Sequence, residues 1–159
     1  MRWRVVSTKE CKGCGKEIPK GLNAYCSYQC SDKAKKKRAK EAKQKTPAYW
    51  MKKADAVASL YYRTQTPYCE AKGKDDITCG GVLQWAHIMS RGNKRLRYEP
   101  LNHLIMCAGH HVYYTHHPYE WSLFIEEQFN DRHQFVKDHR NEYVQANAEF
   151  YQSWFSKFK

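Results

Sequence analysis

At 159 residues, the chain has room for one or two small domains. It carries 28 Lys plus Arg against 16 Asp plus Glu, a formal net charge of +12, and no stretch approaches the roughly 18 apolar residues of a membrane helix. The opening MRWRVVSTKE has no apolar h-region, so we expect no secretory signal, no membrane association and a cytoplasmic location.

The charge is uneven. Residues 1–53 hold 16 basic and 4 acidic side chains, whereas residues 54–159 hold 12 of each. So concentrated a positive field attracts a polyanion and releases its counterions, which points to nucleic acid; a solubilising basic tail is the plainer alternative. The seven cysteines would be odd for a disulfide framework, and their short spacings suit metal instead.

Cys11, Cys14, Cys26 and Cys30 are spaced C-x2-C-x11-C-x3-C, the pattern of a closed tetrahedral zinc site. Gly13 and Gly15 flank Cys14 and let the backbone turn tightly. A module of residues 1–32 has too little core to fold alone, so metal would supply its folding energy. The run KAKKKRAKEAKQK then reads as a solvated basic helix over 33–46, with Ser31 or Asp32 near its start. It either lies along phosphates or acts as a spacer.

Thr46-Pro47 is a helix-start signal. Trp50, Ala54, Val57 and Tyr61 follow at spacings that make one apolar face, and Thr66-Pro67 ends the helix. That stripe is either core or a base-stacking platform. Val82–Ile88 reads as a strand, Leu104–Met106 as a second, and Cys107–His117 as a helix stopped by Pro118. Residues 119–158 read as one or two helices. Their apolar residues Trp121, Phe124, Ile125, Tyr143, Phe150, Trp154 and Phe158 would pack on the central block or form a homodimer contact.

All eight histidines lie at or beyond His87, and six of them fall between His87 and His117, which suggests a site. Cys69, Cys79, Cys107 and His110 make a second zinc set of three thiolates and one imidazole, with His111 as the alternative fourth ligand. The expected class is a small zinc-stabilised α+β fold. Its parts would be a four-cysteine module, a basic helix, a strand–strand–helix core over 47–118 and C-terminal helices over 119–159.

His87, Asn102 and His111, in this order among cysteines, resemble the three signature positions of the HNH endonucleases, the ββα-metal nucleases. The run H-x3-R-x5-R-Y-x3-N-x4-C-x2-H-H, read from His87 to His111, is similar to phage-type HNH proteins, which commonly have cysteine where His110 stands. With the four-cysteine module, the lysine run and PAYWMKKADAV, the layout over roughly residues 8–118 resembles the phage NinG (Rap) recombination family. That family acts on branched DNA such as Holliday junctions.

The resemblance implies phosphodiester hydrolysis on DNA in a bacterial host cytoplasm. His87 would be the general base, His111 a ligand of a catalytic Mg2+ or Mn2+, and Asn102 a ligand or a brace. Arg91 and Arg97 would grip the scissile phosphate. Ala86 stands where many HNH enzymes carry an Asp or His metal ligand, so another group would have to join. His116 is one candidate, although five residues along a helix places it about 140° from His111. An HNH nuclease acting on ordinary duplex is a second reading, and a zinc-dependent DNA-binding protein that cuts nothing is a third.

Overall fold

The computed structural model describes residues 7–21, 23–44 and 46–159. It is an α+β chain with two small antiparallel sheets, and it divides into two compact units, residues 1–49 and 50–159. The division falls inside a helix, and residues 119–159 belong to the same unit as the central block. Among the described residues, no helix is long and apolar enough to cross a membrane.

In the first unit, β1 (Thr8–Glu10) pairs with β2 (Glu17–Pro19), with Lys9 opposite Ile18. The turn between them is closed by Cys11 N–H to Lys16 O at 2.8 Å and Gly15 N–H to Cys11 O at 2.9 Å. Gly15 has φ +76°, a left-handed conformation that glycine adopts without strain. Among the described residues of this unit only Cys11 and Ile18 are buried, and helix α1 (Tyr28–Gln44) buries none. So small a core leaves little besides a metal to hold the module together. The helix starts earlier than the lysine run suggests. Ser27 Oγ accepts from Cys30 N–H at 3.2 Å and caps it, so Ser31 and Asp32 sit one turn inside.

Helix α2 (Pro47–Gln65) opens as expected, with Thr46 Oγ1 accepting from Tyr49 N–H at 3.2 Å. Its buried stripe is Ala54, Ala58 and Tyr62, flanked by Trp50, Met51 and Val57. Tyr61 is 41% exposed, so the stripe lies about one residue round from the expected face. Tyr62 takes the core position and donates its hydroxyl to Tyr98 O at 2.8 Å.

The second unit is organised by a hairpin of β3 (Leu83–His87) and β4 (His103–Cys107), in register Trp85 opposite Ile105 and His87 opposite His103. Strand alternation gives it two faces. Ala86, Leu104 and Met106 pack with Tyr114, Phe124 and Ile125; Trp85 and Ile105 pack with Tyr62, Tyr98, Tyr151 and Phe158. Helices α3 (Ala108–His116) and α4 (Pro118–Gln128) supply the first layer, and α2 with α6 (Ala148–Lys157) the second.

Pro118 ends α3 and also opens α4 at its first position, where a missing N–H costs nothing. With α5 (Asn130–His139), residues 118–157 form three helices rather than one or two. Of their expected core residues, Tyr143 is 89% exposed and takes no part.

Candidate functional site

The first cluster sits where the β1–β2 turn meets the start of α1. The sulfurs of Cys11, Cys14, Cys26 and Cys30 all lie within 4.8 Å of one another, with Cys26 Sγ 3.5 Å from Cys14 Sγ and 3.4 Å from Cys30 Sγ. A tetrahedral zinc with thiolates at about 2.3 Å has sulfurs about 3.8 Å apart, so the set fits that ion. Cys11 Sγ accepts from the backbone N–H of Cys26 at 3.2 Å and of Gly13 at 3.4 Å. The Cys26 amide is the chief cause that holds the Cys11 thiol down to about 6. Cys26 is pushed up to about 12 by the thiols of Cys30, Cys14 and Cys11. Four thiolates this close repel one another, and one dication relieves them all.

The second cluster joins the loop after α2 to the start of α3. Cys69, Cys79, Cys107 and His110 again lie within 4.8 Å, and His110 Nδ1 is 3.0 Å from Cys107 Sγ, 3.7 Å from Cys79 Sγ and 3.8 Å from Cys69 Sγ. His110 is therefore the imidazole of the set, not His111. Its far nitrogen, Nε2, is 3.0 Å from Asp75 Oδ1, and Tyr114 donates its hydroxyl to Asp75 Oδ2 at 2.7 Å. Such a carboxylate fixes the tautomer and aims the metal-facing nitrogen. Cys107 N–H donates to Cys69 Sγ at 3.3 Å and Gly80 N–H to Cys107 Sγ at 3.4 Å. Burial pushes the Cys107 thiol up, but the His110 backbone N–H and the other donors around it bring it down to about 6. Both clusters fit zinc in closed form. Asp75 escaped the sequence reading, although a carboxylate between Cys69 and Cys79 was a usable hint.

Beside the second cluster, β3, β4 and α3 enclose a cavity of about 230 Å³ bordered by Ala86, His87, Ser90, His111 and Thr115. His87 stands at the end of β3 and His111 on α3, and both border this cavity. His87 packs its ring 4.2 Å from that of Trp85, and its Nε2 is 2.9 Å from Arg97 O. A carbonyl only accepts, so Nε2 carries the proton and Nδ1 is left as the base. Burial, opposed by the Arg97 carbonyl and reinforced by the field of Arg91, lowers the His87 pKa to about 4. His111 is lowered too, by burial and then by Arg91, and its Nδ1 is held by Gln84 Oε1. Gln84 is a second contributor that the sequence reading missed; it lies on the hairpin face toward α3.

Two expected roles change, those of Arg97 and His116, and the contacts of Asn102 fit one of its two expected roles. Arg97 is not placed to meet a phosphate, because it is only 7% exposed and each of its three guanidinium nitrogens already donates within the protein. Nε donates to Asp55 Oδ1 at 2.8 Å, Nη2 to Asp55 Oδ2 at 2.5 Å and Nη1 to Arg91 O at 2.5 Å. It ties the loop after β3 to α2. Asn102 is a brace and not a ligand. It is 0% exposed, its Oδ1 accepts from Met89 N–H at 2.8 Å, and its Nδ2 donates to Leu96 O at 2.9 Å and Met89 O at 3.1 Å. His116, exposed at the end of α3, does not border the cavity. Of the expected ligands of a catalytic ion one imidazole remains, His111, and among the described residues no carboxylate lines the cavity. Hard divalent cations favour oxygen ligands, so this lining by itself does not build an Mg2+ or Mn2+ site.

In the first unit, a groove of about 620 Å³ runs along α1 between Lys12, Lys33, Lys36, Lys37, Arg38 and Lys40, with Glu41 the one carboxylate on it among the described residues. Asp32 pairs with Lys36 at 2.8 Å, and the remaining cations of the groove outnumber any acid near them. No family model, curated protein or solved structure matches the chain.

Proposed function

We propose that the chain is a DNA endonuclease of the HNH class, with zinc at both cysteine clusters and the basic groove of α1 as its main DNA contact. The observation that carries this reading is His87. It borders the same cavity as His111, and the Arg97 carbonyl fixes the tautomer that leaves Nδ1 basic. A neutral imidazole on a strand end can take a proton from a water attacking phosphorus. Arg91, exposed beside both histidines, is the guanidinium left to meet the phosphate. The groove of unit 1 supplies affinity without base readout, since lysines there would meet phosphates.

The dependence on Mg2+ or Mn2+ and the preference for branched DNA of phage recombination rest on the HNH and NinG resemblance, and ordinary duplex is the other substrate. A zinc-dependent DNA-binding protein without catalysis is favoured by one observation, the absence of a carboxylate in the cavity lining. The test is to incubate the zinc-loaded chain with four-way junction, flap and linear duplex in Mg2+ or Mn2+. Cleavage of any substrate supports the nuclease, junction-selective cleavage supports the recombination role, and binding without cleavage leaves the binding protein.

A further inference from the structure

A second cavity, of about 210 Å³, adjoins the first and lies between α4, α5 and the loop after β3. Ile88 and Trp121 border both cavities, so the two are neighbours. Ile88, Trp121, Ile125 and Val136 give it a mainly apolar lining, which His133 also borders. Lys137 and Arg140 border it too, and among the described residues no acidic one does. Among the described residues, no ion pair engages either cation. The last turn of a helix favours cations on electrostatic grounds alone, but those grounds do not require an apolar cavity beneath them.

We propose that this cavity holds one unpaired base of a nucleic-acid strand, stacked against Trp121, with the adjoining phosphate on Lys137 and Arg140. The inference rests on the nuclease reading for its partner and deepens it. The volume is below the roughly 300–1,000 Å³ of pockets for drug-sized ligands, which suits a single flat ring system rather than a whole nucleotide. A base inside a duplex hides its faces in the stack, so only an unpaired or extruded base can enter an apolar slot. Stacking on an aromatic ring is tolerant of base identity, so the site selects for strand structure and not for sequence. With the His87 and His111 cavity next to it, the site would set the scissile phosphate close to the captured base.

The experiment measures binding of the zinc-loaded full chain to a short duplex carrying 2-aminopurine either as a single unpaired base or fully paired. We expect the wild type to bind the unpaired form about tenfold more tightly and to change the probe's emission. Two variants probe the site without opening a hole in the core: Lys137→Ala with Arg140→Ala, and Ser122→Phe, which fills the cavity from an exposed position that borders it. Both should reduce affinity for the unpaired form to that for the paired form. Equal wild-type affinity for the two forms, or a preference that survives both variants, overturns the proposal. The two readings fail separately. Preference without cleavage leaves the base site standing and removes the nuclease, whereas cleavage of paired duplex without preference removes the base site alone.

Discussion

His110 and Asp75 form a hydrogen-bonded pair at 3.0 Å, through the imidazole nitrogen that faces away from the three thiols. His110 is buried on α3 and Asp75 half-buried against it, with Tyr114 of the same helix holding the other carboxylate oxygen at 2.7 Å. The link runs from a polar loop residue to the aim of a metal ligand, and from there to the junction of β4 and α3 that carries His111.

Asp75→Asn should therefore weaken metal at the Cys69, Cys79, Cys107 and His110 cluster by about 10- to 100-fold. The four-cysteine cluster should keep its affinity. Competition with a chromophoric chelator, together with elemental analysis expecting two zinc ions per chain before competition, checks this. Loss at both clusters alike would contradict it.

Gly13→Ala and Gly15→Ala separate close approach from backbone conformation. A Cβ at Gly13 would meet Cys30 O at 2.6 Å and Cys30 Cβ at 2.7 Å, both parts of the first cluster. A Cβ at Gly15 meets nothing within 4 Å, and only its φ of +76° resists the change. The first variant should lose zinc from the four-cysteine cluster. The second should retain it, at a cost of about 1–2 kcal/mol. Cobalt substitution, read by the visible bands of a tetrahedral thiolate site, distinguishes them.

Arg97→Ala should act on stability. Removing the guanidinium takes from Asp55 the two bonds at 2.8 and 2.5 Å and leaves its half-buried carboxylate the Tyr98 hydroxyl at 2.9 Å, so the expected loss is about 1.5–3 kcal/mol. Urea unfolding measures it. If the variant is as stable as the parent and only DNA affinity falls, Arg97 is a phosphate contact after all.

Burial keeps two histidines neutral in the folded chain, His87 with its pKa lowered to about 4 and His103 to about 3, against 6.5 ordinarily. Below about pH 6.5 the unfolded chain takes up protons that the folded chain does not, so folding stability falls as pH drops toward 4. The slope is as much as about 1.4 kcal/mol per pH unit for each group. Above pH 6.5 these groups contribute no pH dependence. Urea unfolding between pH 7.5 and 5 with excess zinc checks the slope, which His103→Gln should reduce.

The metal clusters were legible because ligand spacing is local and the chemistry demands those residue types. The strand–strand–helix order followed from β-branched and apolar runs around Cys107. What did not show was occupancy. Arg97 on a polar loop looks available until Asp55, 42 residues earlier, is seen to hold it. Asn102 looks like a ligand until its amide is seen to close the loop through Met89 and Leu96. In the pair Tyr61-Tyr62 helical periodicity allowed either residue to face inward, and the packing of Trp85, Tyr98 and Phe158 chose Tyr62. Pro118 in the sequence signals a helix stop, yet the same lack of an N–H makes it the start of α4.

The measurement that bears most directly on the nuclease reading is single-turnover cleavage of four-way junction and linear duplex DNA by the wild type and by His87→Ala, with both proteins shown to hold two zinc ions. The wild type should cut at least one substrate in Mg2+ or Mn2+. The variant should lose about 100-fold or more in rate while binding DNA as before. Cleavage at an undiminished rate in His87→Ala, or none by the wild type on either substrate, would contradict the assignment.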